Sequence, residues 1–512
     1  MTVAEATPEI EIEDRSDRAF LGHPKGLGYL GFTEACERFS YYSMQTLLTL
    51  YMVNYLLVPE RMEGVLGLEW LRGWHYQGLE GQPLASAIFG DYSSLVYLMP
   101  IVGGIIADRM TGRRIALIVG GLMMSLGHFL MAFEGAFLFA LLCLIIGVGL
   151  FKGNIATQVG ELYSEHDLRR AMAFQIFYIF INVSVIAAPL ISGTLGEDVG
   201  WHYGFGCAGV VMVIGLLLYL KAGPWLPPDN RPDAKNPSVG AAVFQVIVAV
   251  VLIALFALAI PLLFSLGTAS WIIAAIVVVG GLAWLLRGLD RTDRLRVLAV
   301  ILLVPVMAVA LLTNQEIFNA YLVWADQHFQ LTFFGRTIPT SWMITIDATL
   351  SFSMLVAVAW FYKWRADRTG REPDELGKMI IGSVFTVIGG LCLVIAAATQ
   401  GSGKIGLFWP VMFHLFNSIG FSHVLPVSLA LFTRLAPRQF NATIIGIYYL
   451  AFFAANLIVG TVGGWYSTMD TVQFWLFHVM TAVVGLVAFA LFKVFLAKRL
   501  MSEAKPEDAA LA

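Results

Sequence analysis

Charged residues are scarce in this sequence. Only 13% of its 512 residues are Asp, Glu, Lys or Arg, 58% are hydrophobic, and the mean hydropathy is +0.76. A soluble domain is about one quarter charged, so a water-soluble fold is excluded. Cysteine is also rare, and Cys36, Cys143, Cys207 and Cys392 sit in separate apolar segments. That spacing argues against a disulfide framework or a metal centre and reads as four small buried hydrophobes. His-Glu-x-x-His, paired catalytic aspartates and a serine nucleophile motif are all missing, which argues against a receptor-like or intramembrane enzyme reading. The first twenty residues have no apolar core, so a cleaved signal peptide is not expected. The net charge of −3 decides nothing, because in a membrane chain the placement of charge outweighs its sum.

What is present is a succession of apolar runs of about twenty residues, the length that crosses a bilayer. They read as spans over 27–57, 86–107, 114–133, 136–160, 171–194, 202–221, 240–264, 269–287, 295–325, 340–363, 376–399, 405–434, 441–465 and 472–497. The expectation is an all-α polytopic membrane protein of about 14 helices. It divides into a tail (1–25), a six-helix bundle (26–222), a linker with an extra hairpin (223–293), a second six-helix bundle (294–499) and a short tail (500–512). Pseudo-symmetric halves around a central cavity are the usual solution for a transporter. With both termini placed inside, nearly all of the 32 Lys and Arg fall on the inner side. The outer side receives only Arg61, Arg72, Arg336 and Lys404, a strong positive-inside bias. The sequon at Asn441-Ala-Thr443 then faces inward and is discounted. Two cations stay within the membrane: Arg38 and Lys152.

Arg38 belongs to Gly31-Phe-Thr-Glu-Ala-Cys-Glu-Arg-Phe-Ser-Tyr-Tyr-Ser43, inside the first span. Glu34, Glu37 and Arg38 fall at i, i+3, i+4, with Tyr41 and Tyr42 one turn on, so one helix face carries two carboxylates, a guanidinium and two phenols. Each ionisable group at membrane depth costs at least ~2.5–3.5 kcal/mol, and a pair would suffice for packing alone. Lys152 lies in Gly149-Leu-Phe-Lys-Gly-Asn154 of the fourth span. It either snorkels to the interface or faces a cavity near the carboxylates of the first span, and the second reading is favoured. After the second span, Gly104-Ile-Ile-Ala-Asp-Arg-Met-Thr-Gly-Arg-Arg114 forms a turn with charges able to latch neighbouring helix ends. It resembles the signature between spans two and three of the major facilitator superfamily.

Glu34-x-x-Glu37-Arg38-Phe39-x-Tyr41-Tyr42, Gly149-Leu-Phe-Lys152-x-Asn154, Phe177-Tyr178-x-x-Ile181-Asn182 and Trp201-His-Tyr-Gly-Phe-Gly206 together resemble the proton-dependent oligopeptide transporter family of that superfamily. The resemblance implies proton-coupled symport by alternating access, with no cofactor beyond the coupling proton. It implies a proton-coupling set of Glu34, Glu37, Arg38 and Lys152. Arg38 and Lys152 would also hold a substrate carboxylate, with Tyr42, Tyr97 and Asn182 lining the pocket. The partners expected are a small peptide-like solute and the lipid bilayer, with no nucleic acid. The expected setting is a bacterial inner membrane, and a monomer would suffice.

The second half departs from the family pattern. Thr313-Asn-Gln-Glu-Ile317 puts Gln315 at the family's acidic position with Glu316 beside it, and both are candidates for the substrate pocket, although a regular helix turns Glu316 about 100° away. Asp347 takes the place of a pocket asparagine, and Phe421 stands where peptide transporters have a glutamate for the substrate amine. Asp347 could supply the missing charge, or it could pair with a neighbouring helix. The expected solute is therefore a di- or tripeptide or a related carboxylate; the alternative is a non-peptide organic anion or a modified amino acid.

Overall fold

The computed structural model describes residues 17–164, 167–228, 239–265, 280, 286–287, 289–401, 403–435 and 441–497. Long helices dominate: α1 (Lys25–Tyr51), α2 (Gly81–Ile106), α3 (Arg113–Leu130), α4 (Phe137–Glu161), α5 (Arg169–Ala188), α6 (Trp201–Lys221) and α7 (Val239–Ser265). The chain continues with α8 (Arg291–Glu316), α9 (Ala320–His328), α10 (Trp342–Thr369), α11 (Glu375–Thr399), α12 (Phe408–Leu435), α13 (Asn441–Gly464) and α14 (Thr471–Phe492). Among the described residues eleven helical segments are long and apolar enough to cross a membrane. The charged α1 and the apolar α7 come in addition. The expected span 269–287 lies almost wholly outside the described residues, as do most of both tails.

One expected span is divided, and two of the connecting segments hold structure of their own. The span at 295–325 is two helices, α8 and α9, with a break at Ile317–Asn319. Asn319 there has φ −119 and ψ −111, values no helix tolerates. The loop at 58–85 holds two short helices, Pro59–Met62 and Leu68–Trp74, and its Trp70 and Trp74 stack with ring centroids 5.0 Å apart. A two-stranded ribbon, β1 (Thr332–Phe333) paired antiparallel with β2 (Arg336–Thr337), follows α9.

The halves repeat one packing scheme. In the first, α1 packs on α5 and α6, α3 on α4 and α6, and α2 on α4. In the second, α8 packs on α13 and α14, α11 on α12 and α14, and α10 on α12. Counting α8 and α9 as one span and leaving the linker helix α7 aside, each pair has its counterpart six spans later, as internal repeats require. The latch after α2 is repeated too, with its charges exchanged. Arg113 at the start of α3 pairs with Asp108 at 3.1 Å and with Glu161 at the end of α4. Glu375 at the start of α11 pairs with Arg434 near the end of α12 at 2.7 Å.

The halves meet along α2 and α13. Gly90 and Gly460 oppose one another so closely that a Cβ at either would strike the other's backbone, and deeper in Tyr97 stacks on Phe452 at 4.9 Å. The symmetry-equivalent pair is α5, whose helical continuation runs on to Val199, and α10; among the described residues its hydrogen bonds lie at the end that the Lys and Arg bias places outside. The Glu197 carboxylate accepts the backbone N–H groups of Thr340 (2.7 Å) and Ser341 (2.9 Å), and Trp342 Nε1 donates to Thr194 at 2.9 Å. Asn54 and Thr340 both donate to Asp326, at 3.0 and 2.8 Å. That end is thus closed between the halves.

Candidate functional site

The site begins on α1, whose charged face turns inward. Glu34, Glu37 and Arg38 are 4%, 0% and 5% exposed, so none of them snorkels. The spacing seen in the sequence lets one guanidinium serve two carboxylates: Arg38 Nε lies 3.2 Å from Glu34 Oε1 and closer still to Glu37 Oε2. Each group still has spare capacity. Glu34 Oε2, Glu37 Oε1 and Arg38 Nη2 are buried without hydrogen-bond partners. A buried polar atom left open in this way is costly unless a ligand or a water meets it, which marks the position where one can bind.

Lys152 projects from α4 into the same region and is not turned to lipid or headgroups. Its Nζ stands over three phenol rings, 4.6 Å from Tyr97, 5.5 Å from Tyr41 and 5.7 Å from Tyr449. It is close enough to Arg38, Glu37 and Glu34 to feel their charges. Among the described residues no carboxylate comes within ion-pair distance of it, so Lys152 faces the charged side of the first span without forming a salt bridge to it. The reason is competition. Arg38 sits on the same helix as both glutamates and takes their near oxygens, and the ammonium settles on the electron-rich ring faces, each worth about 0.5–2 kcal/mol. Arg38 itself lies 5.0 Å from the Tyr41 ring, and Tyr41 receives a bond from Gln45 at 2.9 Å.

The other expected residues are distributed as follows. Tyr42 meets Tyr41 edge-on at 5.0 Å and reaches toward Phe318 at the α8–α9 break. Tyr97 lies under Lys152. Asn182 donates back to Tyr178 O on its own helix at 2.8 Å. Gln315 faces α13, where Asn456 donates to its Oε1 at 3.3 Å. Glu316, expected in the pocket, is instead 0% exposed within the second bundle, 3.6 Å from His478 of α14. The helical turn between consecutive residues sends it there. Asp347 is held by His414: Nδ1–H donates to Oδ1 at 2.9 Å, and Nε2 faces the Tyr321 hydroxyl at 2.7 Å. Its side chain keeps 13% exposure. Phe421 is half-buried and lines a crevice with Asn314, Thr386 and Asn417.

Sequence reasoning missed Tyr449, Asn456 and His478. The signal was present for the first two, since Tyr449, Phe452 and Asn456 recur at i, i+3, i+7 on one face of α13. A histidine inside the apolar run of α14 was the signal for the third.

Three comparisons place this arrangement. A family model described as the POT family matches residues 114–477. The uncharacterised transporter YclF of Bacillus subtilis is 31% identical over 93% of this chain and 94% of its own length. The peptide transporter YePEPT of Yersinia enterocolitica is 30% identical over 87% of this chain and 89% of its own. A crystal structure of a peptide transporter POT in complex with sulfate superposes with a TM-score of 0.78 at 28% identity, covering 94% of this chain and 96% of that one. The helices, their repeated packing and the charged face of α1 are those of an integral membrane transporter of the major facilitator type, and this chain belongs to the POT family.

Proposed function

We propose that the protein is a proton-coupled symporter that imports di- or tripeptides, or a related amine-bearing carboxylate, across a bacterial cytoplasmic membrane, with both termini inside. The observation that carries this reading is Lys152 and Arg38 sharing one buried site with two glutamates. Counted as charged, Glu34, Glu37, Arg38 and Lys152 sum to zero. A substrate carboxylate brought to Arg38 and Lys152 makes the set −1. A proton taken by one of the glutamates returns it to zero. In a low-dielectric site the neutral combination is favoured, so proton and carboxylate enter together. Which glutamate takes the proton is a property of the coupled pair. Lys152 is free for the substrate because its present partners are rings, and a charge-assisted bond to a carboxylate is about twice as strong as a neutral one.

Each proton carried with a net-neutral peptide moves one charge through the membrane potential, worth ~2.3 kcal/mol per 100 mV. The closed outer contacts of α5 with α10 fit an alternating-access cycle caught with its outer side shut. One chain contains every residue invoked, so a monomer suffices.

At the opposite wall Asp347 is the acceptor for the substrate amine. His414 and Tyr321 fix its orientation, and its remaining exposure leaves room for a cation. Asp347→Asn is expected to abolish the preference for a free amino terminus, read by competition of uptake with Ala-Ala against N-acetyl-Ala-Ala. Equal discrimination by wild type and variant would refute the role. Phe421, apolar where a second carboxylate would stand, favours the other reading, a non-peptide organic anion or modified amino acid. That reading predicts competition by such anions and none by Ala-Ala.

A further inference from the structure

We propose that Glu316 and His478 form a second proton-holding site, enclosed in the C-terminal bundle and tied to the break in the seventh span. Glu316 ends α8, and its Oε1 accepts the N–H of Ala320, the first residue of α9, at 3.1 Å. One carboxylate therefore bridges the break. Its other oxygen, Oε2, lies 3.6 Å from His478 Nε2, and both side chains are 0% exposed. Neither Oε2 nor Nε2 has a hydrogen-bond partner.

The tautomer of His478 follows from its other nitrogen. Nδ1 is 2.9 Å from the carbonyl oxygen of Phe474. A carbonyl only accepts, so Nδ1 carries a hydrogen. A neutral imidazole then turns a bare lone pair toward a carboxylate oxygen. Two lone pairs facing each other away from water repel. A single proton, on Glu316 Oε2 or on His478 Nε2, turns that repulsion into attraction and makes the pair neutral overall. The pair therefore binds one proton, and nothing else is consumed or released.

The surroundings offer no substitute. From α13 come Gly463, where a Cβ would stand 2.7 Å from Glu316 Oε1, and the Val459 carbonyl, which Asn319 occupies at 3.2 Å. From α2, Gln82 donates to Gly463 O and Ser86 to Asn319 Oδ1, each at 2.9 Å. From α14 come the rings of Phe474 and Trp475, and from α8 Thr313, which donates to His478 O. Tyr321 of α9 is turned to His414, and His414 of α12 is engaged by Asp347. Among the described residues no other charged side chain is within ion-pair distance of Glu316 or His478.

The proton is coupled to shape through α9. Its N-terminus is held by Glu316, and the same segment carries contacts that close the outer side: Thr49 donates to Phe318 O at 3.1 Å and Asn54 to Asp326 at 3.0 Å. Losing the proton leaves an unpaired negative charge in a dry site, relieved by swinging the carboxylate, and with it α9, toward water. The protonation itself depends on nothing about the substrate; its part in coupling rests on the symport reading above.

The test uses the full-length protein. In ¹⁵N-histidine spectra the His478 signal is assigned by its loss in His478→Gln or, should that variant misfold, in His478→Phe. The expected signal has Nδ1 protonated and Nε2 either protonated or hydrogen-bonded to a donor. A neutral imidazole, protonated at Nε2 alone or at Nδ1 alone with Nε2 free of any donor, would overturn the proposal, whether or not any peptide is transported. The second arm compares gradient-driven Ala-Ala uptake between about pH 5.5 and 7.5. Glu316→Gln and His478→Gln are each expected to reduce the acid stimulation about threefold or more, and the double variant no further, because one proton is shared. Single-variant pH profiles that overlie the wild type after scaling would overturn it as well.

Discussion

Lys152 shows how far residue-level reasoning reached in this chain. A lone ammonium in an apolar run was readable as a cavity residue because burying it at random is too costly. Its partners were not readable. Which of several nearby groups an ammonium chooses depends on distances that only packing sets, and here Arg38 wins the carboxylates by sharing their helix. Tyr449 reaches Lys152 from the other half of the chain, which no local spacing can announce. The charge count gives a direct prediction. Without Lys152 the set is −1 before any carboxylate arrives, and one charge-assisted bond of about 1.5–3 kcal/mol is lost. Lys152→Ala is therefore expected to weaken Ala-Ala binding by about tenfold or more, measured calorimetrically, with Lys152→Arg recovering part of it. Affinity unchanged in the alanine variant would show that the ammonium does not meet the substrate.

At the scale of elements, helices were legible because bilayer length and hydropathy fix them. The break between α8 and α9 was not, since Thr313-Asn-Gln-Glu-Ile-Phe-Asn319 carries no proline or glycine. Side chains make it instead. Asn319 is pulled to Val459 O, and Glu316 caps the restarted helix. A similar device closes the outer side, where Glu197 accepts two N–H groups at the start of α10, a position where the helix dipole also favours negative charge. The acidity of Glu197 was visible in the sequence, but its partner lies 143 residues away. Removing those bonds should cost the closed state about 1.5–3 kcal/mol. Glu197→Ala is expected to shift the population about tenfold or more toward an open outer side. Spin-label distances between the outer ends of α5 and α10 would show it, and an unchanged distance distribution would mean that other contacts carry the closure.

For the whole molecule, the polytopic helical fold was legible from the number and length of the apolar runs, because both are consequences of the membrane as solvent. The repeat goes deeper than the sequence suggested, extending to every principal helix pair and to the latch with its charges reversed. The chemistry is not repeated. The first half holds Arg38 and Lys152 together with the buried, unpartnered oxygens of Glu34 and Glu37. The second holds two carboxylate–histidine pairs, Asp347 with His414 and Glu316 with His478. On the symport reading, a net-neutral peptide lying across the interface would place its carboxylate by Arg38 and Lys152 and its amine by Asp347, and its binding would draw the halves together.

The most direct test of the charge accounting is proton movement itself. In proteoliposomes loaded with a pH dye, Ala-Ala entry into vesicles with the wild type is expected to carry protons in with it. In the double variant Glu34→Gln, Glu37→Gln the site is already positive, so peptide should still exchange across the membrane while accompanying proton entry disappears. Peptide entry accompanied by as many protons in the double variant as in the wild type would contradict the account.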